Sequence, residues 1–103
     1  MSEVEETIER IKVQSGVEGY VISNRNGQVL RRFPTMPQEV AELYAQHMIA
    51  LTSQARGVIR DLNPKHELQF LRIRTKNKEV MVAYDPQFIV IVIQRWTSAD
   101  KGL

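Results

Sequence analysis

The chain has 103 residues, 14 of them basic and 12 acidic, with no cysteine and a net charge of +2, so we expect a single domain with one core. The weak, dispersed charge argues against a nucleic-acid-binding surface, and the missing cysteines exclude disulfides, thiol nucleophiles and thiolate metal sites. No apolar run reaches the roughly 18 residues of a membrane helix and the N-terminus lacks an apolar signal region, so we expect a soluble, cytoplasmic protein.

A short helix is predicted from about Glu3 to Gln14. Ser2 and Glu5 have the spacing of a capping box, and Gly16 follows where a left-handed residue commonly ends a helix. Two strand-like runs come next, at 17–24 and 28–33. The turn between them contains Asn26 and Gly27, which both tolerate positive φ, and this predicts a tight antiparallel hairpin.

A long helix is predicted from about Gln38 to Leu62. Pro37 suits the first turn, since its missing N–H would be unpaired there, and Pro64 ends the helix because the residue before a proline is disfavoured in the α conformation. The helix is about 35 Å long at 1.5 Å per residue. Its apolar stripe is wider than contact with one sheet requires, so we expect part of it to contact something else.

Three strands are predicted to end the chain, at 68–75, 79–84 and 88–94. The short connections between them make these strands antiparallel neighbours. The element order is helix, two strands, helix and three strands. This order predicts an α+β fold in which a five-stranded antiparallel sheet packs with two helices.

The last of these strands, "FIVIVIQ" at 88–94, has no alternation of apolar and polar residues. A strand of this kind is typical of the centre of a sheet with helices on both faces. The second helix can cover one face, but the first has only about three turns and can cover about half of the other. We therefore expect an uncovered apolar strip beside the first helix, and such strips usually mark binding sites.

The strand at 68–75 carries Arg72 and Arg74 on one side and Leu71 and Ile73 on the other. Charges on an edge strand commonly prevent unwanted pairing, which is one interpretation of this pattern. The other interpretation is that two copies meet at this edge with their long helices side by side.

Residues that could support catalysis are few. His47 lies on the long helix and His66 in a loop, and neither has a partner at the spacing of a catalytic triad or a metal site. We expect a non-enzymatic protein with no metal, no cofactor and no small-molecule substrate. Trp96 could close the core beneath the last strand or anchor a partner, and the first is the more common role.

The runs "GVEGYVISNRNGQVLRR" and "FLRIRTKNKEVMVA" closely resemble the roadblock (LC7) type dynein light chains, and the resemblance extends from Glu3 to Gln94. It implies one domain over residues 1–96 with a short tail at 97–103. It also implies a homodimer, or a heterodimer with a paralogue, whose sheets join through the third strand, Leu68 to Thr75. Tyr84 departs from the family pattern, which has proline there in animal members.

The resemblance implies a light chain of the dynein motor that binds a segment of the dynein intermediate chain and supports motor assembly and cargo attachment. The location would be the cytoplasm on microtubules, or the axoneme of a cilium or flagellum. Larger relatives add a third helix beside the first, and an intermediate-chain helix is the expected substitute here. The alternative is a scaffold or regulator of a small GTPase complex; nucleic acid and membrane are not expected partners.

Two sets of site residues follow. The predicted dimer residues lie on the second helix and the third strand: Tyr44, Met48, Leu51, Ala55, Phe70, Leu71, Arg72, Ile73 and Arg74. The predicted partner-binding residues lie beside the first helix and on alternate positions of the last strand: Ile8, Ile11, Ile89, Ile91 and Ile93. The sequence does not determine which alternate set of the last strand faces the first helix.

Overall fold

The computed structural model describes residues 3–12 and 16–95. In chain order the elements are α1 (Glu3–Lys12), β1 (Val17–Ser23), β2 (Val29–Arg32), α2 (Gln38–Leu62), β3 (Phe70–Arg74), β4 (Lys78–Tyr84) and β5 (Ile89–Arg95). The predicted order and α+β class are confirmed. Over the described ranges, neither helix combines the length and apolarity needed to span a bilayer. Ser2, Gln14, Trp96 and the tail at 97–103 lie outside these ranges.

The five strands form one antiparallel sheet in the order β2-β1-β5-β4-β3. The apolar strand β5 is central, as predicted, with Ile91 paired to Val21 of β1 and to Val82 of β4. Both faces of β5 are buried in the single chain, because the two helices lie on opposite sides of the sheet. Fully burying an isoleucine contributes about 1.5–3 kcal/mol, so each of the buried Ile89, Ile91 and Ile93 stabilises the core on this scale.

Two apolar clusters pack on the two faces of this sheet. In the cluster beneath α2, the small side chains Ala41 and Ala45 are fully buried and bring the helix close to the strands. Its other buried members are Val21, Val82, Ile89, Ile91 and Ile93. The cluster beneath α1 contains Ile8, Ile11, Tyr20, Ile22, Phe88, Val90 and Val92. The alternation of β5 side chains between these clusters fixes which residues each helix covers.

The β1–β2 turn differs from the prediction at one position. Gly27 has a φ of +93°, whereas Asn26 does not adopt a positive φ. The N–H of Gly27 donates to the C=O of Asn24 at 3.2 Å, and the side-chain Oδ1 of Asn24 accepts the N–H of Asn26 at 3.0 Å. A type I turn followed by a left-handed glycine has this geometry and needs positive φ only at the glycine.

The ends of α2 agree with the prediction. Pro37 is the N-cap residue with extended backbone, and the N–H of Asn63 donates to the C=O of Ile59 at the other end. Gly16 has the predicted left-handed conformation, with φ +84°. The last three strands differ from the predicted bounds by one or two residues, and β3 is shorter than predicted because it begins at Phe70.

Candidate interaction surfaces

Within the described part of the chain, no three His, Cys, Asp or Glu side chains come together to hold a metal ion. His47 and His66 are both exposed. The features that remain open are instead an unpaired sheet edge, an apolar side of α2 and a groove beside α1. Each of these is suited to contact with another polypeptide.

The sheet ends at β3, whose outer side has no neighbouring strand among the described residues. The N–H of Thr75 donates to the C=O of Lys78 at 2.8 Å, and the N–H of Tyr84 donates to the C=O of Gln69 at 2.9 Å. Hydrogen-bonded pairs alternate along an antiparallel ladder. Since Gln69 and Thr75 form bonded pairs, the bonded positions along this strand are the odd-numbered ones. The backbone N–H and C=O of Arg72 therefore point away from β4 toward the open edge.

The β3 side chains divide between the two faces as predicted. Leu71 is half-buried against the cluster beneath α2, whereas Arg72 and Arg74 lie on the α1 side with Glu79 of β4. Arg74 Nη2 is 2.9 Å and Arg72 Nε is 3.7 Å from the buried Glu79 carboxylate. Both guanidinium groups thus lie toward β4, on the α1 face of the sheet, and leave the β3 edge accessible to another strand.

One side of α2 forms an apolar surface, the α2 flank, next to its buried face. Of the predicted residues, Tyr44 and Met48 pack partly against the core, Ala55 is half-buried and Leu51 is 38% exposed. Several exposed members of the α2 flank are not among the predicted dimer residues, although helical spacing from Leu51 indicates them. These members are Val40, Leu43, His47, Val58 and Leu62.

The α2 flank and the β3 edge lie on the same side of the molecule. α2 packs on β1, β2 and β5, and its contacts with β4 are made at the border of this area. Arg56 Nη1, for example, donates to Tyr84 Oη of β4 at 2.9 Å. The outer half of this face, which carries Leu71 and Ile73, is left without a covering helix from the described residues, and both side chains are only half-buried. A second copy of the chain could cover both surfaces at once.

The second surface, the α1 groove, runs between α1 and β3 on the opposite face of the sheet. Its floor is formed by Met81 and Ala83 of β4 together with Val90 and Val92 of β5. Two adjoining cavities of about 470 and 270 Å³ make up the groove. Their walls are Thr7, Arg10 and Ile11 of α1 and Phe70 and Arg72 of β3. Phe70, predicted as a dimer residue, is 49% exposed and lies in this groove.

The structure corrects part of the predicted partner-binding set. Ile89, Ile91 and Ile93 lie in the cluster beneath α2, on the other face of the sheet, and are at most 3% exposed. Of the first-helix residues, Ile8 is part of the core while Ile11 also lines the groove. The strand register places the shorter Val90 and Val92 on the α1 side, so these valines take the place of the isoleucines.

Comparison with known proteins agrees with this architecture. The Roadblock/LC7 domain profile matches residues 3–95. The Roadblock/LC7 domain structure from Streptomyces avermitilis has a TM-score of 0.77 at 11% identity, covering 85% of this chain and 73% of that chain. The gliding protein MglB from Thermus thermophilus has a TM-score of 0.70 at 14% identity, over 88% and 70% of the two chains. Myxococcus xanthus MglB has a TM-score of 0.68 at 13% identity, over 84% and 70%. The chain therefore belongs to the Roadblock/LC7 domain family.

Proposed function

We propose that this chain is a non-catalytic light chain of dynein. It acts as a homodimer, or as a heterodimer with a paralogue, and holds a segment of the dynein intermediate chain in the α1 groove. In this role it supports motor assembly and cargo attachment in the cytoplasm or in an axoneme. The observation that carries the proposal is the α1 groove, an apolar channel whose β4 floor residues, Met81 and Ala83, are left half-buried by the described helices. Family membership and the sequence resemblance to roadblock dynein light chains support it.

The groove is suited to an amphipathic helix. Its floor is apolar, and the half-exposed Phe70 ring and Ile11 provide apolar walls on opposite sides. A helix that places its apolar stripe in such a groove buries residues spaced three and four apart. Arg10 and Arg72 stand on the two rims, with Asp85 at one end, so acidic residues on the edges of the bound helix would add favourable charge contacts.

Dimerisation through the β3 edge and the α2 flank would join the two sheets and present two equivalent α1 grooves. A segment with two short helices could then occupy both grooves. The second helix would bind at the effective concentration set by the linker, which raises overall avidity without any new contact. This gives the proposed dimer a direct role in binding.

The test is reconstitution with a purified dynein intermediate-chain fragment, with binding measured by titration calorimetry. Ala83→Glu places a carboxylate on the apolar floor of the groove. We expect the Kd to rise at least about 100-fold, because the carboxylate must be desolvated beneath the apolar stripe of the bound helix and its longer side chain fills part of the groove. Ala50→Glu is the matched control, because Ala50 is exposed on the outer face of α2, and its Kd should stay within about threefold of the original.

Two results would contradict the proposal. Unchanged affinity of a folded Ala83→Glu variant would place the intermediate chain elsewhere on the molecule. Purification from native extract that recovers a small GTPase complex and no intermediate chain would favour the alternative role as a scaffold or regulator. Thermal unfolding of each variant establishes that a loss of binding is not a loss of fold.

A further inference from the structure

Tyr84, at the end of β4, has two guanidinium groups against one ring. The Cζ atoms of Arg25, from the β1–β2 turn, and Arg56, from α2, lie 4.4 and 4.6 Å from the ring centroid. Over residues 3–12 and 16–95, neither arginine forms an ion pair with a carboxylate. From their distances to the ring, the two Cζ atoms are at most about 9 Å apart. Like charges within this distance repel each other, and a bound anion would reduce this cost.

These side chains line a cavity of about 340 Å³ where three connecting segments meet at one end of the sheet. The α2–β3 segment contributes Glu67, Leu68 and Gln69, and the β4–β5 turn contributes Asp85 and Pro86. The carboxylate of Asp85 accepts the N–H of Gln87 at 3.0 Å and so caps its own turn. Glu67 is exposed. Among the described residues neither carboxylate lies within 4.0 Å of a guanidinium nitrogen of Arg25 or Arg56, so the N–H groups that do not contact Tyr84 are available to an external anion.

The hydrogen-bonding groups match a phosphoryl group. Tyr84 Oη accepts a hydrogen bond from Arg56 Nη1 at 2.9 Å, so its own O–H remains to donate to a ligand. The remaining N–H groups of the two guanidiniums are suited to bidentate contact with phosphate oxygens. The three donor side chains come from three different elements, β1–β2, α2 and β4, and converge on one cavity. The cavity is small for a ligand pocket, which favours a phosphate group with a short attachment.

We propose that the cavity lined by Arg25, Arg56 and Tyr84 binds a phosphate monoester. The ester could be a phosphorylated side chain of a partner segment or a small free molecule, since both present the same three oxygens and about two negative charges. The cavity lies on the α2 side of the sheet, because Tyr84 packs against that cluster. Among the lining residues only Asp85, in the β4–β5 turn, is shared with the α1 groove, so the proposed site does not depend on the proposed function.

The test is titration of the whole chain with phenyl phosphate, followed by NMR of the arginine Nε–H groups. Arg25→Gln and Arg56→Gln should each raise the Kd at least about tenfold, as expected for loss of a hydrogen bond to a charged group. Tyr84→Phe keeps the ring and removes the O–H, and should likewise raise the Kd about tenfold, because this bond is also made to a charged group. Arg60→Gln is the matched control, since Arg60 is an exposed arginine on the same helix, and it should change the Kd less than about twofold.

A phosphoserine peptide with otherwise neutral residues distinguishes the two sources. Binding about tenfold tighter than phenyl phosphate supports a partner segment, and equal binding supports a small ester. The proposal is overturned by an absence of binding, by acetate binding as tightly as phenyl phosphate, or by an equal effect of Arg60→Gln and Arg56→Gln. Thermal unfolding midpoints of all variants provide the check on folding.

Discussion

Arg72→Pro tests whether β3 pairs with a second copy of the chain. The backbone N–H of Arg72 points away from β4, because the hydrogen-bonded pairs of this ladder fall at Gln69 with Tyr84 and at Thr75 with Lys78. Proline at this position removes a donor from the open edge and leaves the β3–β4 ladder intact. The variant therefore alters pairing between copies with little effect on the fold of one copy.

The expected magnitude follows from the two-fold symmetry of the proposed dimer, because each copy loses one backbone donor. A backbone hydrogen bond contributes about 0.5–1.5 kcal/mol net, so the dimer loses about 2 kcal/mol in total, or about 30-fold in Kd. The proline ring between the strands adds a steric cost. Arg72→Ala is the matched control, since it removes the guanidinium 3.7 Å from the Glu79 carboxylate but keeps the N–H.

Sedimentation equilibrium over a range of concentrations gives the dimer Kd of each variant, and circular dichroism reports the fold. Ile73→Glu is a second variant at the same strand, because it places a carboxylate on the half-buried α2 side, and we expect it to be monomeric. Arg72→Pro and Arg72→Ala with the same Kd would show that β3 does not join the copies. Dimers of Ile73→Glu would indicate that a different edge is used.

Three further predictions concern stability, each measured by urea unfolding. Thr52 is fully buried and its Oγ1 has no hydrogen-bond partner among the described residues, so Thr52→Val should raise the free energy of unfolding by about 1 kcal/mol. The control is Thr35→Val, because Thr35 is exposed. A lower free energy of unfolding for Thr52→Val would mean that the hydroxyl is hydrogen-bonded. Outside its own stretch of helix, a Cβ at Gly57 would meet no atom within 4 Å. Gly57→Ala should therefore raise the free energy of unfolding by about 0.5–1 kcal/mol without changing dimerisation, and a weaker dimer would place this face in the interface. The hydrogen bond to the Glu18 carboxylate raises the pKa of Lys78 above its ordinary value of 10.5. Stabilisation by this pair is complete below the unfolded pKa and lost as the pH rises through the folded one. The free energy of unfolding of Lys78→Met should therefore vary with pH between about 7 and 9 as it does in the unmodified chain. A different pH dependence in that range would contradict the raised pKa of Lys78.

Much of the fold could be predicted from local stereochemistry. The ends of α2 were predicted to the residue, since Pro37 and Pro64 restrict the backbone on either side of one apolar stripe. The central place of β5 was predicted from its unbroken apolar run, because only a strand covered on both faces can bury every side chain. The short length of α1 predicted an uncovered strip on the last strand, but Val90 and Val92 of β5 are at most 9% exposed. The part of this face that stays half-buried is on β4, at Met81 and Ala83, where the α1 groove lies.

The individual site residues were less predictable from the sequence than the fold. Val90 and Val92 face α1, while Ile89, Ile91 and Ile93 face α2. A strand that is apolar on both sides contains no polar residue to mark either face. Which β5 side chains face each helix depends on the pairing of β5 with β1 and β4 and on the close approach of α2 through its small alanines.

The arrangement around Tyr84 shows the same division. Local sequence determined the helix, the turn and the strand that carry Arg56, Arg25 and Tyr84, because caps, turn residues and apolar periodicity act over a few positions. Only the tertiary structure brought these three side chains together, since they come from separate elements whose distance depends on how α2 crosses the sheet. Contacts between elements distant in sequence are set by packing of the whole core, and no short stretch of residues encodes them.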